Sequence, residues 1–190
     1  MNNESGLQEK IWLHSSKKGD KEAFSFLVKK YEAKIFNLAF SLTGNREVAD
    51  DVTQESFIKA YFGLPKFQVK SEFGTWLYRI AVDRIKDYLR KKVKLREIPL
   101  DGVSEKLFAT EEAKKSEPEQ EQEKKRQLVH RCLRALPEKH RFVLALRDGQ
   151  GFSLEEISRI LNISLGTLGS RLQRARKMLR RILLPYLTDS

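Results

Sequence analysis

At 190 residues the chain has room for one large or two small domains, and a formal net charge of +11 with an isoelectric point near 9.7 points to a polyanionic partner. Cys132 is the only cysteine, which excludes an intramolecular disulfide and a cysteine-rich zinc site, and no metal site is expected. No stretch approaches the roughly 18 apolar residues needed to cross a bilayer, and the opening MNNESGLQEK has no apolar signal region, so the expectation is a cytoplasmic protein without membrane insertion.

The charge is unevenly spread: 19 basic against 12 acidic residues over 1–96, 3 against 9 over 97–123, and 15 against 5 over 124–190. Two basic blocks around an acidic segment suggest two nucleic-acid-facing modules and a linker of different purpose. Strand signals are almost absent, so the reading is an all-α protein: two small helical domains joined by a flexible acidic linker, the second a four-helix domain with a helix-turn-helix. The boundaries are set at 1–96, 97–117 and 118–190.

In chain order, Phe24, Leu27, Val28, Tyr31, Ile35, Leu38 and Leu42 form one apolar stripe ending at the turn Thr43-Gly44-Asn45. A second helix runs from about Arg46 to Phe62, with Ala49, Val52, Thr53, Ser56, Phe57 and Ala60 on its core face. Its other face lines up Asp50, Asp51, Gln54, Glu55 and Ile58. Acids in a basic domain are poor DNA ligands, and an acidic face with one exposed aliphatic group suits docking of a basic protein; a merely solvated face is an equally good reading of the pattern. Leu64-Pro65 breaks the helix, and a polar loop from Lys66 to Glu72, with Lys66, Phe67, Lys70 and Ser71, leads to a third helix from about Phe73 to Lys92. There Phe73, Leu77, Ile80, Ala81, Tyr88 and Leu89 face inward, while Trp76, Arg79, Asp83, Lys86 and Arg90 share another face. Aromatic groups among cations suit single-stranded nucleic acid, where bases stack and phosphates pair, and loop and Trp76 together outline a pocket for an unstacked base. A helical Trp is more often a core residue.

Residues 97–117 scatter Leu100, Val103, Leu107 and Phe108 among charges and read as unpacked linker. Pro118 can open a helix whose first turns hold Glu119, Glu121 and Glu123, and which buries Leu128, Val129, Cys132, Leu133 and Leu136. Pro137 opens the next helix, through about Arg147, and Asp148-Gly149 ends it. His14, His130 and His140 have no convergent ligand pattern and read as surface or helix-packing residues.

The stretch GFSLEEISRILNISLGTLGSRLQRARKMLRR then contains two helix starts. Ser153 and Glu156 form a capping box with Phe152 and Ile157 at the staple positions; Ser164 caps toward Thr167 with Ile163 and Leu168 in the same roles. The second helix carries Arg171, Arg174, Arg176, Lys177, Arg180 and Arg181 and no acid from Ser164 to Arg181, so it should neutralise phosphates and bind DNA with strong salt dependence. Nothing in the chain forms a phosphate-cradling glycine loop, a nucleophile with its base, or a carboxylate pair, so the expectation is a binding protein without enzymatic activity or cofactor.

Four segments, GDKEAFSFLVKKYEAKIFNLAF, ADDVTQESFIKAY, FGTWLYRIAVDRIKDYLRKK and LPEKHRFVLALRDGQGFSLEEISRILNISLGTLGSRLQRAR, resemble the extracytoplasmic-function (ECF) sigma factors, the minimal two-domain members of the bacterial sigma-70 family. The resemblance covers about residues 18–184. It implies that Asp50, Asp51, Gln54, Glu55 and Ile58 dock on the clamp helices of core RNA polymerase. It implies that Lys66, Phe67, Lys70, Ser71, Trp76, Arg79, Asp83, Lys86 and Arg90 melt the −10 element and capture a flipped base. Ser164, Thr167, Ser170, Arg171, Gln173, Arg174, Arg176 and Lys177 would read the −35 element, the linker would thread the polymerase, and an anti-sigma factor would restrain the protein. Four positions depart from the family pattern: Asp83 stands where Asn is usual, Ser164 and Gly169 replace a Pro and a basic residue of the recognition helix, and Ser158 replaces an Ala. A stand-alone helix-turn-helix regulator is the competing reading, one that leaves the acidic face without a purpose.

Overall fold

The computed structural model describes residues 2–68, 72–96 and 117–187. Eight α-helices account for nearly all of them: α1 Asn2–Lys17, α2 Lys21–Thr43, α3 Arg46–Gly63, α4 Phe73–Arg96, α5 Glu117–Arg134, α6 Glu138–Leu144, α7 Leu154–Leu161 and α8 Leu165–Leu187. A 3-10 turn, Leu64–Lys66, follows α3, and one π-helical turn, Ala145–Gly149, extends α6. Lys70, Ser71 and the 97–116 part of the expected linker lie outside the described residues.

Helices begin and end where short polar residues can satisfy free backbone groups. The Asp20 carboxylate accepts from the Glu22 and Ala23 amides at 2.9 and 3.0 Å, and Asn45 accepts from Val48 at 3.0 Å, so α2 and α3 start at those caps. Between them Gly44 adopts a left-handed φ of 69° and returns its amide to the Phe40 carbonyl. A side chain there would also meet the Arg134 guanidinium at 2.8 Å, so the position needs glycine twice over.

Helices α2, α3 and α4 bury one apolar face each around Leu27, Ile35, Leu38, Ala49, Phe57, Phe73, Leu77 and Ile85. The core face of α3 is the expected one: Ala49, Val52, Thr53, Ser56, Phe57 and Ala60 are all buried. α1, absent from the sequence reading, lies along α2 with Leu13 and Ser16 buried and Trp12 stacked on Phe26 at 5.3 Å. In the C-terminal part, α5 to α8 enclose Leu136, Phe142, Val143, Leu146, Ile157, Ile160, Leu168 and Ala175. α5 buries Cys132 and Leu133, and Leu136 just beyond its end is buried too, as expected, but Val129 is 46 % exposed because it falls on a side of the helix that none of the described residues covers.

The two helical groups pack on each other. The Tyr78 hydroxyl donates to Gln150 Oε1 at 2.6 Å and its ring meets Phe152 edge-on at 4.5 Å. Arg141 donates from Nη1 to the Leu42 carbonyl at 3.1 Å and from Nη2 to the Arg134 and Leu136 carbonyls at 2.8 and 3.0 Å. Its guanidinium thereby satisfies carbonyls at the C-terminal ends of α2 and α5. Burial pulls the pKa of Arg141 down from the ordinary guanidinium value, partly offset by the Glu138 charge.

Candidate functional site

The capping box of α7 is complete: the Glu156 amide donates to Ser153 Oγ at 3.2 Å and the Ser153 amide to the Glu156 carboxylate at 2.7 Å. Asn162 then takes a left-handed φ of 53° and turns the chain. The Ile163 amide returns to the Ser158 carbonyl at 3.1 Å, and Ser158 Oγ donates to the Ile163 carbonyl. At the head of α8 the Thr167 amide donates to Ser164 Oγ at 3.3 Å, and the two hydroxyls lie 2.9 Å apart. Leu168, Leu172 and Ala175 turn inward, which leaves Ser164, Thr167, Ser170, Gln173, Arg174, Arg176 and Lys177 on the exposed side. Arg171 is half-buried, because its backbone carbonyl lies 3.2 Å from His140 Nδ1 where α6 packs on α8. Arg176 is engaged by Asp148, Nη2 to Oδ1 at 2.7 Å and Nε to Oδ2 at 3.3 Å, which raises its pKa.

α3 turns Asp50, Asp51, Gln54, Glu55 and Ile58 outward. Ile58 is 57 % exposed, and one turn further Phe62 is 77 % exposed. Phe62 was overlooked in the sequence, although its spacing of four from Ile58 puts it on the same face. Four carboxylate and amide groups thus surround an apolar strip, and among the described residues only Glu55 of this face pairs with a cation, Arg84 at 3.9 Å.

The loop and α4 group less simply. Lys66, Arg79, Asp83 and Arg90 are exposed. Phe67, expected at a DNA-facing pocket, is 5 % exposed: its ring lies 4.7 Å from Trp76 and 6.2 Å from Phe73, and it closes the core against them. Trp76 is half-buried in the same aromatic group, 5.9 Å from Phe73. Lys86 is half-buried too, with its ammonium 5.7 Å from the Phe142 ring centroid. Lys86 and Arg171, assigned to different DNA elements, line one cavity of about 390 Å³ with Pro137, Glu138, Lys139, Phe142 and Leu161.

Among the described residues no helix is long and apolar enough to cross a membrane, and no group of three or more His, Cys, Asp or Glu residues could hold a metal ion. The Sigma-70 region 2 family matches residues 27–94, and Sigma-70, region 4 matches residues 126–179. The chain is 39 % identical over 178 residues to the ECF RNA polymerase sigma-E factor of Escherichia coli (strain K12), covering 90 % of this chain and 92 % of the relative. It is 35 % identical over 189 residues to the RNA polymerase sigma-H factor of Pseudomonas aeruginosa, covering 96 % and 97 %. A solved structure of CnrH in complex with the cytosolic domain of CnrY shares the fold, with a TM-score of 0.69 at 23 % identity over 93 % of this chain and 97 % of that one.

Proposed function

The chain belongs to the sigma-70 family, among its ECF sigma factors, and from that premise we propose how its surfaces divide the work of directing RNA polymerase to promoters. Residues 1–96 form the unit that docks on core polymerase and handles the −10 element, 97–117 the linker, and 118–190 the unit that reads the −35 element. The chain is a regulatory subunit without chemistry of its own, working in the cytoplasm with core RNA polymerase and promoter DNA, and restrained by an anti-sigma factor. Family membership sets aside the stand-alone regulator.

One observation carries the assignment of surfaces: the outward face of α3 is acidic around an apolar strip, whereas the outward face of α8 has cations and no acid. Asp51, Glu55, Ile58 and Phe62 fit a basic helical partner, with charge to orient it and two apolar side chains to bury. Ser164, Thr167, Ser170, Gln173, Arg174, Arg176 and Lys177 fit duplex DNA, the cations on phosphates and the short polar groups within reach of base edges. For the −10 element the exposed Lys66, Arg79 and Arg90 supply phosphate contacts and Trp76 the stacking surface, while Phe67 supports it from below. The elements' names place them about 25 base pairs apart, roughly 85 Å of duplex, so an arrangement in which Lys86 and Arg171 line one cavity does not hold both at once.

Asp51→Lys combined with Ile58→Ala should abolish co-purification with core polymerase and leave the melting temperature within about a degree, because both groups are exposed. Unchanged co-purification would remove the docking assignment.

A further inference from the structure

We propose that Gln173 is a specificity-determining residue of α8 that reads one base of the −35 element directly, and that this base is an adenine. The inference rests on the reading of α8 as the helix that enters the −35 element.

Gly166, Ser170, Gln173 and Lys177 follow one another at helical spacing, so they form a single crest along α8. The whole crest is exposed, and it lies across the helix from the buried Leu168, Leu172 and Ala175. Arg174 and Arg181 stand on one flank of the crest and Arg176 and Arg180 on the other, all of them exposed. A crest without charge from Gly166 to Gln173, set between two rows of cations, matches a major groove about 12 Å wide, with base edges on its floor and a phosphate chain along each wall.

Most polar groups near the crest are already engaged. The Ser164 and Thr167 hydroxyls lie 2.9 Å apart, and Ser170 Oγ donates to the Thr167 carbonyl at 3.0 Å. Arg171 is half-buried, and Arg176 is held by Asp148 at 2.7 Å. Arg174 and Lys177 are cations that can only donate, and a phosphate satisfies either. Gln173 is the one residue of the crest whose side chain presents a donor and an acceptor on separate atoms, and among the described residues no group hydrogen-bonds to its amide. A side chain at this position leans toward the start of the helix, over Gly169 and Ser170, and a Cβ at residue 169 would itself meet nothing within 4 Å. The amide is therefore both central and uncovered.

Its carbonyl and its NH2 match the two groups that adenine offers in the major groove, the N6 amino donor and the N7 acceptor, so both bonds form at once. Guanine offers two acceptors, thymine one acceptor and a methyl group, and cytosine one donor, so each of these leaves half of the amide unpaired. Two bonds to one base against one to the others give a preference of about tenfold or more.

The test uses the full-length chain with core polymerase, on promoters of constant −10 sequence whose −35 element is changed one base pair at a time. The unmodified protein should prefer adenine by about tenfold at one position, and Gln173→Ala should abolish that preference while the others stay. Gln173→Arg, whose guanidinium pairs with guanine O6 and N7, should move the preference at that same position to guanine. Gln173 is exposed, so neither variant should shift the melting temperature by more than about a degree. A Gln173→Ala protein that keeps every −35 preference would overturn the proposal, as would loss of a preference for a base other than adenine. Uniform weakening on all sequences would overturn it too, by making the amide a backbone contact. Loss of the adenine preference in Gln173→Ala without a gain of guanine in Gln173→Arg would make the amide a support for another reader and exclude the direct contact. An unmodified protein indifferent to the −35 sequence would instead fail the functional reading, an outcome visible before any variant is made.

Discussion

Gly169 lies in the fifth position of α8, on its exposed side, where the resemblance to the sigma factors implies a cation. A Cβ built there meets nothing within 4 Å, so substitution carries no steric cost in the free protein. Gly169→Ala should then recover the helix propensity that glycine forfeits, about 1 kcal/mol. For a chain of this size that corresponds to a melting temperature higher by about 2–4 °C. Gly169→Lys should gain nearly as much and add one phosphate contact, steepening the slope of log affinity against log salt by about 0.9. Between 50 and 200 mM salt one such contact changes affinity by about threefold. Thermal unfolding of both variants, beside titration of a −35 duplex across a salt series, separates propensity from charge. An alanine variant that melts no higher would refute the propensity argument. A folded lysine variant that binds more weakly at low salt would show that the bare backbone itself approaches DNA at this position.

Trp76→Ala should lower stability by about 3 kcal/mol, since the indole packs on Phe67 and Phe73, whereas Trp76→Phe should hold most of it; equal denaturant midpoints for Trp76→Ala and the parent would contradict that packing. Asp148→Asn should release Arg176 to phosphate, so −35 binding tightens and its salt slope steepens by about 0.9, read in the same titration. Burial, reinforced by Glu9 at Tyr31, raises the pKa of Tyr31 and Tyr78 well above the free phenol value, so folding is favoured fully below about pH 10 and loses stability as pH rises beyond it. Denaturant midpoints between pH 8 and 11 should show this fall, and Tyr31→Phe should make it shallower.

Periodicity and end signals carried most of the fold. The inward and outward faces of α3, the turn at Thr43-Gly44-Asn45 and the capping box at Ser153 are local patterns of three to eight residues, and they stand where the sequence places them. α1 carries no legible apolar stripe, because among its described side chains Leu13 and Ser16 alone are buried. Val129 was misjudged because apolar character says nothing about whether a neighbour exists to cover it. Tertiary contacts account for the rest. Phe67 is buried by Trp76 and Phe73 from the next helix, and Arg176 meets Asp148 across 28 residues; neither separation leaves a trace in spacing. The seating of Tyr78 on Gln150 and Phe152 joins two basic halves that the acidic segment between them had marked as separate.

Ser158, a departure from the usual Ala, has a consequence for the entropy of recognition. Its backbone carbonyl takes the Ile163 amide and its hydroxyl gives to the Ile163 carbonyl, so a single residue of α7 holds both polar groups of the first residue beyond the turn. The joint between α7 and α8 is thereby locked before any duplex arrives. Little hinge freedom remains to be lost when α8 enters the groove, and the association keeps free energy that a looser turn would surrender to ordering.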